Sequence, residues 1–175
     1  MFSTSKAHNA YITGETGFSV ALNVAISALF AWLVFPKTGQ IELYGMSGMA
    51  FDLVPTTFMI TFATSLALGL ITGQRVRKGK IDRQPAAQWK AGLHLLIGRT
   101  LPSNPFVRAI LWALSVSVVL VPLMIAGLEL LDVRALSFTP FLIFKLIYGA
   151  VLALLITPPL LTSALLERGS GMIRA

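Results

Sequence analysis

The chain predicts an all-α integral membrane fold: four transmembrane helices forming two similar tandem hairpins, with a short interfacial helix in the central cytoplasmic loop. Two observations carry this prediction. Hydrophobic residues make up 55% of the 175 residues and charged ones only 12%, with a mean hydropathy of +0.78. So few ionisable groups cannot clothe a soluble domain of this size, so lipid must cover much of its surface. The second observation is length. Segments 18–35, 53–72, 109–128 and 141–166 are each close to the roughly 20 apolar residues that cross a hydrocarbon core.

The first span resembles a signal peptide in hydropathy, but its leading region is nearly uncharged and no small-x-small cleavage site precedes "FPKTGQ". It reads as a retained helix. The predicted organisation is a cytoplasmic segment 1–17, a first hairpin 18–73, a basic linker 74–105, a second hairpin 106–166 and a tail 167–175. Sidedness follows from charge. All but three of the 14 basic residues lie in the amino-terminal segment, the central loop between the second and third spans (Arg75 to Arg108) or the tail, while Lys37 and Arg134 alone occupy the opposite loops. The positive-inside rule then puts both termini and the linker in the cytoplasm. Glu42, Asp52, Glu129 and Asp132 fall on the outer side, and Trp32 and Trp112 sit near span ends, where amphipathic rings prefer the interface.

The linker opens with "ITGQRVRKGKIDRQ", whose Arg75, Arg77, Lys78, Lys80 and Arg83 form the densest charge in the chain. They mark topology and, with Trp89, are candidate ligands for anionic headgroups at the inner leaflet. Between Pro85 and Pro102, Trp89, Leu93, Leu96, Ile97 and Thr100 recur at helical spacing, predicting a surface helix that Gly92 and Gly98 weaken. The two halves also align. Glu42 falls on Glu129, Pro55 on Pro140, and Ile71 and Thr72 on Ile156 and Thr157, as a duplicated hairpin would give.

In lipid, helices associate through close backbone approach and hydrogen bonds. Each span carries a small-residue seam at spacing four: Asn23, Ser27 and Ala31; Ser65, Gly69 and Gly73; Ala109, Ala113 and Ser117; Gly149, Ala153 and Thr157. The second span adds a stripe of hydroxyls at Thr57, Thr61, Thr64, Ser65 and Thr72. These either bond back to the carbonyl four residues earlier or line a polar path with Asn23. Lys145 is the one charge well inside a span, and two readings stand. Its stem reaches back to the outer interface, or its ammonium pairs with Asp52 at the start of the second span. Pro158 and Pro159 are expected to bend or end the fourth helix.

The inventory for chemistry is thin. With no cysteine, thiol nucleophiles, thiolate metal sites and disulfides are excluded. No catalytic residue, metal site or cofactor is predicted, and no nucleic-acid partner is needed to explain a net charge of +7 placed by topology. The two histidines are His8 and His94, and the latter leaves axial ligation of a pigment or haem as an open alternative. "GMAFDLVPTTFM" and "TGQRVRKGK", with Asn23 early in the first span, resemble segments of small bacterial inner-membrane proteins of a permease-like hypothetical family. The resemblance covers about half the chain and implies a bacterial plasma membrane; it carries over no functional residue. The leading expectation is a non-enzymatic accessory or scaffold subunit that packs on other membrane subunits, or on itself, and on anionic lipid. The alternative is a small permease-like transporter acting as a homo-oligomer, with the second-span hydroxyls, Asn23, Asp52 and Lys145 along its path.

Overall fold

In the computed structural model, residues 2–81 and 104–166 are described. The surface helix predicted between Pro85 and Pro102, with Arg83, Trp89 and His94, lies outside the described residues, as does the tail. Four long helices dominate: α1 (Phe2–Val34), α2 (Met49–Arg77), α3 (Pro105–Leu130) and α4 (Phe138–Leu166). Each contains a stretch long and apolar enough to cross a membrane, which makes this a multi-pass membrane protein.

Helix boundaries depart from the predicted spans for local reasons. The α1 helix starts at Phe2 rather than at residue 18, running through Gly14 and Gly17. Tertiary contacts hold that early segment against its poor propensity. Tyr11 Oη lies 3.1 Å from Thr72 Oγ1, and Glu15 accepts a hydrogen bond from Arg75. The α3 helix begins earlier than residue 109 because Asn104 caps it. Its Oδ1 accepts from Phe106 N at 2.9 Å and Val107 N at 3.4 Å, and Pro105 occupies the first turn, where its missing N–H has no consequence. Pro158 and Pro159 do not end α4, which continues to Leu166. The buried Leu160 and Leu161 that follow keep this last stretch packed in the core.

Helix partners do not follow chain order. The principal contacts are α1 with α4, α2 with α3, and α2 with α4. The small-residue seams explain the choice, because they face inward. Asn23, Ser27, Ala31, Ala109, Ala113, Ala153 and Thr157 are all buried. Thr157 Oγ1 donates to Ser19 Oγ at 3.0 Å across the α1–α4 contact. Large apolar side chains such as Phe18, Leu33, Val118 and Leu123 point outward, as lipid contact requires.

A small β-ribbon, absent from the sequence reading, joins the two inter-helix loops. Strand β1 (Gln40–Glu42) pairs antiparallel with β2 (Ala135–Ser137), Ile41 opposite Leu136. Leu43 N continues the ladder to Arg134 O at 2.7 Å. Beneath the ribbon a second apolar cluster forms from Phe35, Ile41, Leu43, Met49, Leu128 and Phe141, separate from the main core around Leu53, Tyr148, Leu152 and Ile156. Asp132, with φ of 53°, turns the chain out of α3 in the left-handed region that Asp tolerates better than most residues. Gly48 is required for a different reason. A Cβ there would lie 2.7 Å from the Tyr44 backbone carbonyl. Gly48→Ala is therefore expected to lower stability by about 1–3 kcal/mol, as overpacking does. Gly127→Ala, with open space around it, should not lower it. Thermal unfolding of the two variants in one detergent checks the contrast.

Candidate functional site: an ion pair at the floor of a lateral cleft

Asp52 stands in the first turn of α2, where the helix dipole favours a carboxylate. Lys145, on the facing side of α4, reaches it: Nζ lies 2.8 Å from each carboxylate oxygen. The lysine is 3% exposed, so its stem does not run to the interface and the pairing alternative holds. Phe35 and Phe141, their centroids 4.4 Å apart, shield the ammonium, which lies 5.2 and 5.8 Å from the two rings. Asp52 is the more open partner, its side chain 17% exposed. In a low-dielectric setting such a pair persists because separating it would leave a bare charge.

The opening toward Asp52 is a cleft between α1 and α2 of about 750 Å³. It forms because these two helices each pack elsewhere, α1 on α4 and α2 on α3 and α4. Asn23, Ser27 and Phe30 line one wall, Asp52, Met59 and Ala63 the other, and Lys145 closes the floor. Phe30 and Met59 are exposed on the outer surface, so the cleft opens sideways, toward the region the lipid would occupy. A second, smaller hollow of about 130 Å³ lies between α3 and α4, lined by Leu120, Met124, Phe144, Tyr148 and Leu152 among others.

Not every predicted site residue joins this cleft. Thr57, Thr61, Ser65 and Thr72 are buried on the α2 face turned into the bundle, and Thr64 is half-buried; none lines the cavity, whereas Thr56 does. Thr57 Oγ1 bonds back to Leu53 O at 2.6 Å and also meets Tyr148 Oη. The stripe therefore belongs to helix packing, while Asn23, Asp52 and Lys145 share one cavity. Thr61 Oγ1 and Ser27 Oγ are buried without a partner among the described residues.

The basic cluster divides too. Arg75 pairs with Glu15 and stacks over Tyr11, 5.4 Å from its ring, so it is used within the bundle. Arg77, Lys78 and Lys80 remain exposed at the end of α2. Arg108, counted in sequence with the basic central loop between the spans, is a buried residue in the first turns of α3; a Cβ on Gly69 would lie 3.4 Å from its Nη2. Among the described residues, no three His, Asp or Glu side chains converge on a metal-sized site.

At the ribbon end, Tyr44 donates to Glu129, and that hydrogen bond, with burial a smaller contributor, raises the phenol above its ordinary range. A raised folded value means the contact stabilises while the phenol keeps its proton and is lost as pH climbs through that value. Alkaline absorbance titration should therefore show a late-ionising tyrosine that moves back toward the ordinary range in Glu129→Gln. Comparison with protein-family models, curated proteins and solved structures finds no match to this chain.

Proposed function

We propose that the protein is a non-enzymatic, permease-like component of a bacterial inner membrane, with both termini cytoplasmic, that holds a small ligand in the α1–α2 cleft. The observation that carries this reading is the Asp52–Lys145 pair placed at the floor of a cavity of about 750 Å³. Ionisable groups at membrane depth are costly and mark ligand or ion sites by default. Sites of this size fall within the usual range of about 300–1,000 Å³ for small-molecule pockets.

Internal duplication supports the reading. The seams Asn23, Ser27, Ala31 and Ala109, Ala113, Ser117 fall at one constant offset, and each first helix packs on the second helix of the other half. A two-fold axis between α2 and α4 would produce this exchange, relating the large cleft to the small α3–α4 hollow. At the spacing of Pro55 to Pro140, Met59 and Ala63 correspond to Phe144 and Tyr148, so aromatic side chains fill in one half what stays open in the other. An accessory subunit docking partner helices through the predicted seams would need those seams on its surface. Here Ser27, Ser65, Gly73, Ala113, Gly149 and Ala153 are buried within the bundle.

Native mass spectrometry of the protein, extracted gently from its own membrane, tests the reading. A small molecule retained by the wild type should be absent from Ala63→Phe, which fills the cleft from an exposed position. A stoichiometric complex with another membrane subunit, carrying no such molecule and unaffected by Ala63→Phe, would instead support the accessory role.

A further inference from the structure

Resting on the reading just given, we infer that the occupant of the α1–α2 cleft is a zwitterionic phospholipid with a primary ammonium in its headgroup. Its ammonium sits on Asp52, its phosphate on Lys145, and its acyl chains run past Met59 and Ala63 toward the bilayer.

Charge selects the headgroup. The cleft presents one carboxylate and one ammonium, so an anion alone would meet Asp52 and a cation alone would meet Lys145. A ligand with both signs engages the pair without leaving either member opposed. Both partners keep capacity for this. An ammonium has three donors and a carboxylate about four acceptor positions, and among the described residues each side chain hydrogen-bonds the other alone. A primary ammonium brings N–H donors to the remaining carboxylate lone pairs; a quaternary one brings charge without donors.

Polarity along the cleft continues the match. Ser27 borders the cavity, with its Oγ turned toward Gly149 at the α1–α4 contact. Ser27 lies against Gly149, one turn of α4, about 6 Å, further from the ribbon than Lys145. That is the level at which a glycerol ester carbonyl would follow a phosphate held at Lys145. Asn23, whose amide nitrogen is used by Ser19 O at 2.9 Å, lies one turn deeper and also lines the cavity. Around and below these groups the walls are apolar: Ile26, Phe30, Met59, Ile60 and Ala63. The sideways opening lets a lipid enter from its leaflet without leaving the bilayer.

The test uses the full-length protein, delipidated in a non-ionic detergent and titrated with phosphatidylethanolamine, phosphatidylcholine and phosphatidylglycerol of identical acyl chains. Native mass spectrometry reads the bound lipid. Phosphatidylethanolamine should be retained at one per chain, at concentrations about tenfold below those for the other two, as one extra charge-assisted hydrogen bond supplies. Ala63→Phe should abolish this binding, and the double variant Asp52→Leu, Lys145→Met should erase the preference while remaining folded. Phosphatidylglycerol or phosphatidylcholine bound as well as phosphatidylethanolamine, and lost in Ala63→Phe, would overturn the headgroup assignment and leave the cleft as a binding site. No lipid lost on filling the cleft, whatever its headgroup, would overturn both.

Discussion

Asp52→Ala destabilises the bundle by about 3–5 kcal/mol, the cost of leaving one member of a buried ion pair alone. Lys145 is the reason. At 3% exposure, on the side that borders the cleft, it is poorly solvated, and the two phenylalanine rings near it, each worth about 0.5–2 kcal/mol to a cation, do not replace a carboxylate. The reciprocal change is expected to be milder. In Lys145→Met the orphaned Asp52 borders the cleft and stands at a helix amino terminus, where solvent and backbone dipoles both support its charge. Removing both charges together, as Asp52→Leu with Lys145→Met, should recover most of the loss, because apolar replacement of a buried pair is often neutral or favourable. Apparent melting temperatures of the four proteins in one detergent decide the matter. Asp52→Ala as stable as the wild type would mean that the pair does not hold α2 to α4.

Gly149→Ala is expected to cost about 1–3 kcal/mol, and Gly149→Leu more, through separation of α1 from α4. A Cβ at Gly149 would lie 2.7 Å from Ser27 Oγ, closer than real contacts allow. The obstacle is a single oxygen, since the next atoms, Asn23 O and Ser27 Cβ, are at 3.5 Å. Ser27→Ala should therefore rescue Gly149→Ala, giving a favourable interaction energy in a double-mutant cycle read by thermal unfolding. Strict additivity would sink the close-contact account. Gly69→Ala serves as the mild comparison, because what its Cβ would meet is the end of the Arg108 side chain at 3.4 Å.

The four helices were legible because hydropathy over some twenty residues outweighs every local signal. What happens between helices was less so. The seams at Ser27, Ala113 and Gly149 could be read as contact surfaces, but a seam does not name its partner, and the exchange of α1 onto α4 emerges only in three dimensions. The cleft escaped for the same reason, being the space left where α1 and α2 do not pack. Lys145 and Asp52 stood out as charges beside or within spans; the choice between pairing and reaching for the interface was made by Phe35 and Phe141, which close the outward route. The hydroxyl stripe was visible as spacing along α2, but residue type alone cannot tell a packed face from a wetted one. Strands of three residues are too short to show any period, and the early start of α1 rests on Tyr11 and Glu15 finding partners some sixty residues away.

The exchange of partners has a consequence for how the chain is made. When α1 and α2 have entered the membrane, neither has met its main neighbour; α2 must wait for α3 and α1 for α4. Assembly is thus deferred until the last helix is synthesised, and until then Asp52 has no lysine. Cut within the central linker and produced as two chains, each half should be degraded when expressed alone and accumulate when both are present, each supplying the surface the other lacks.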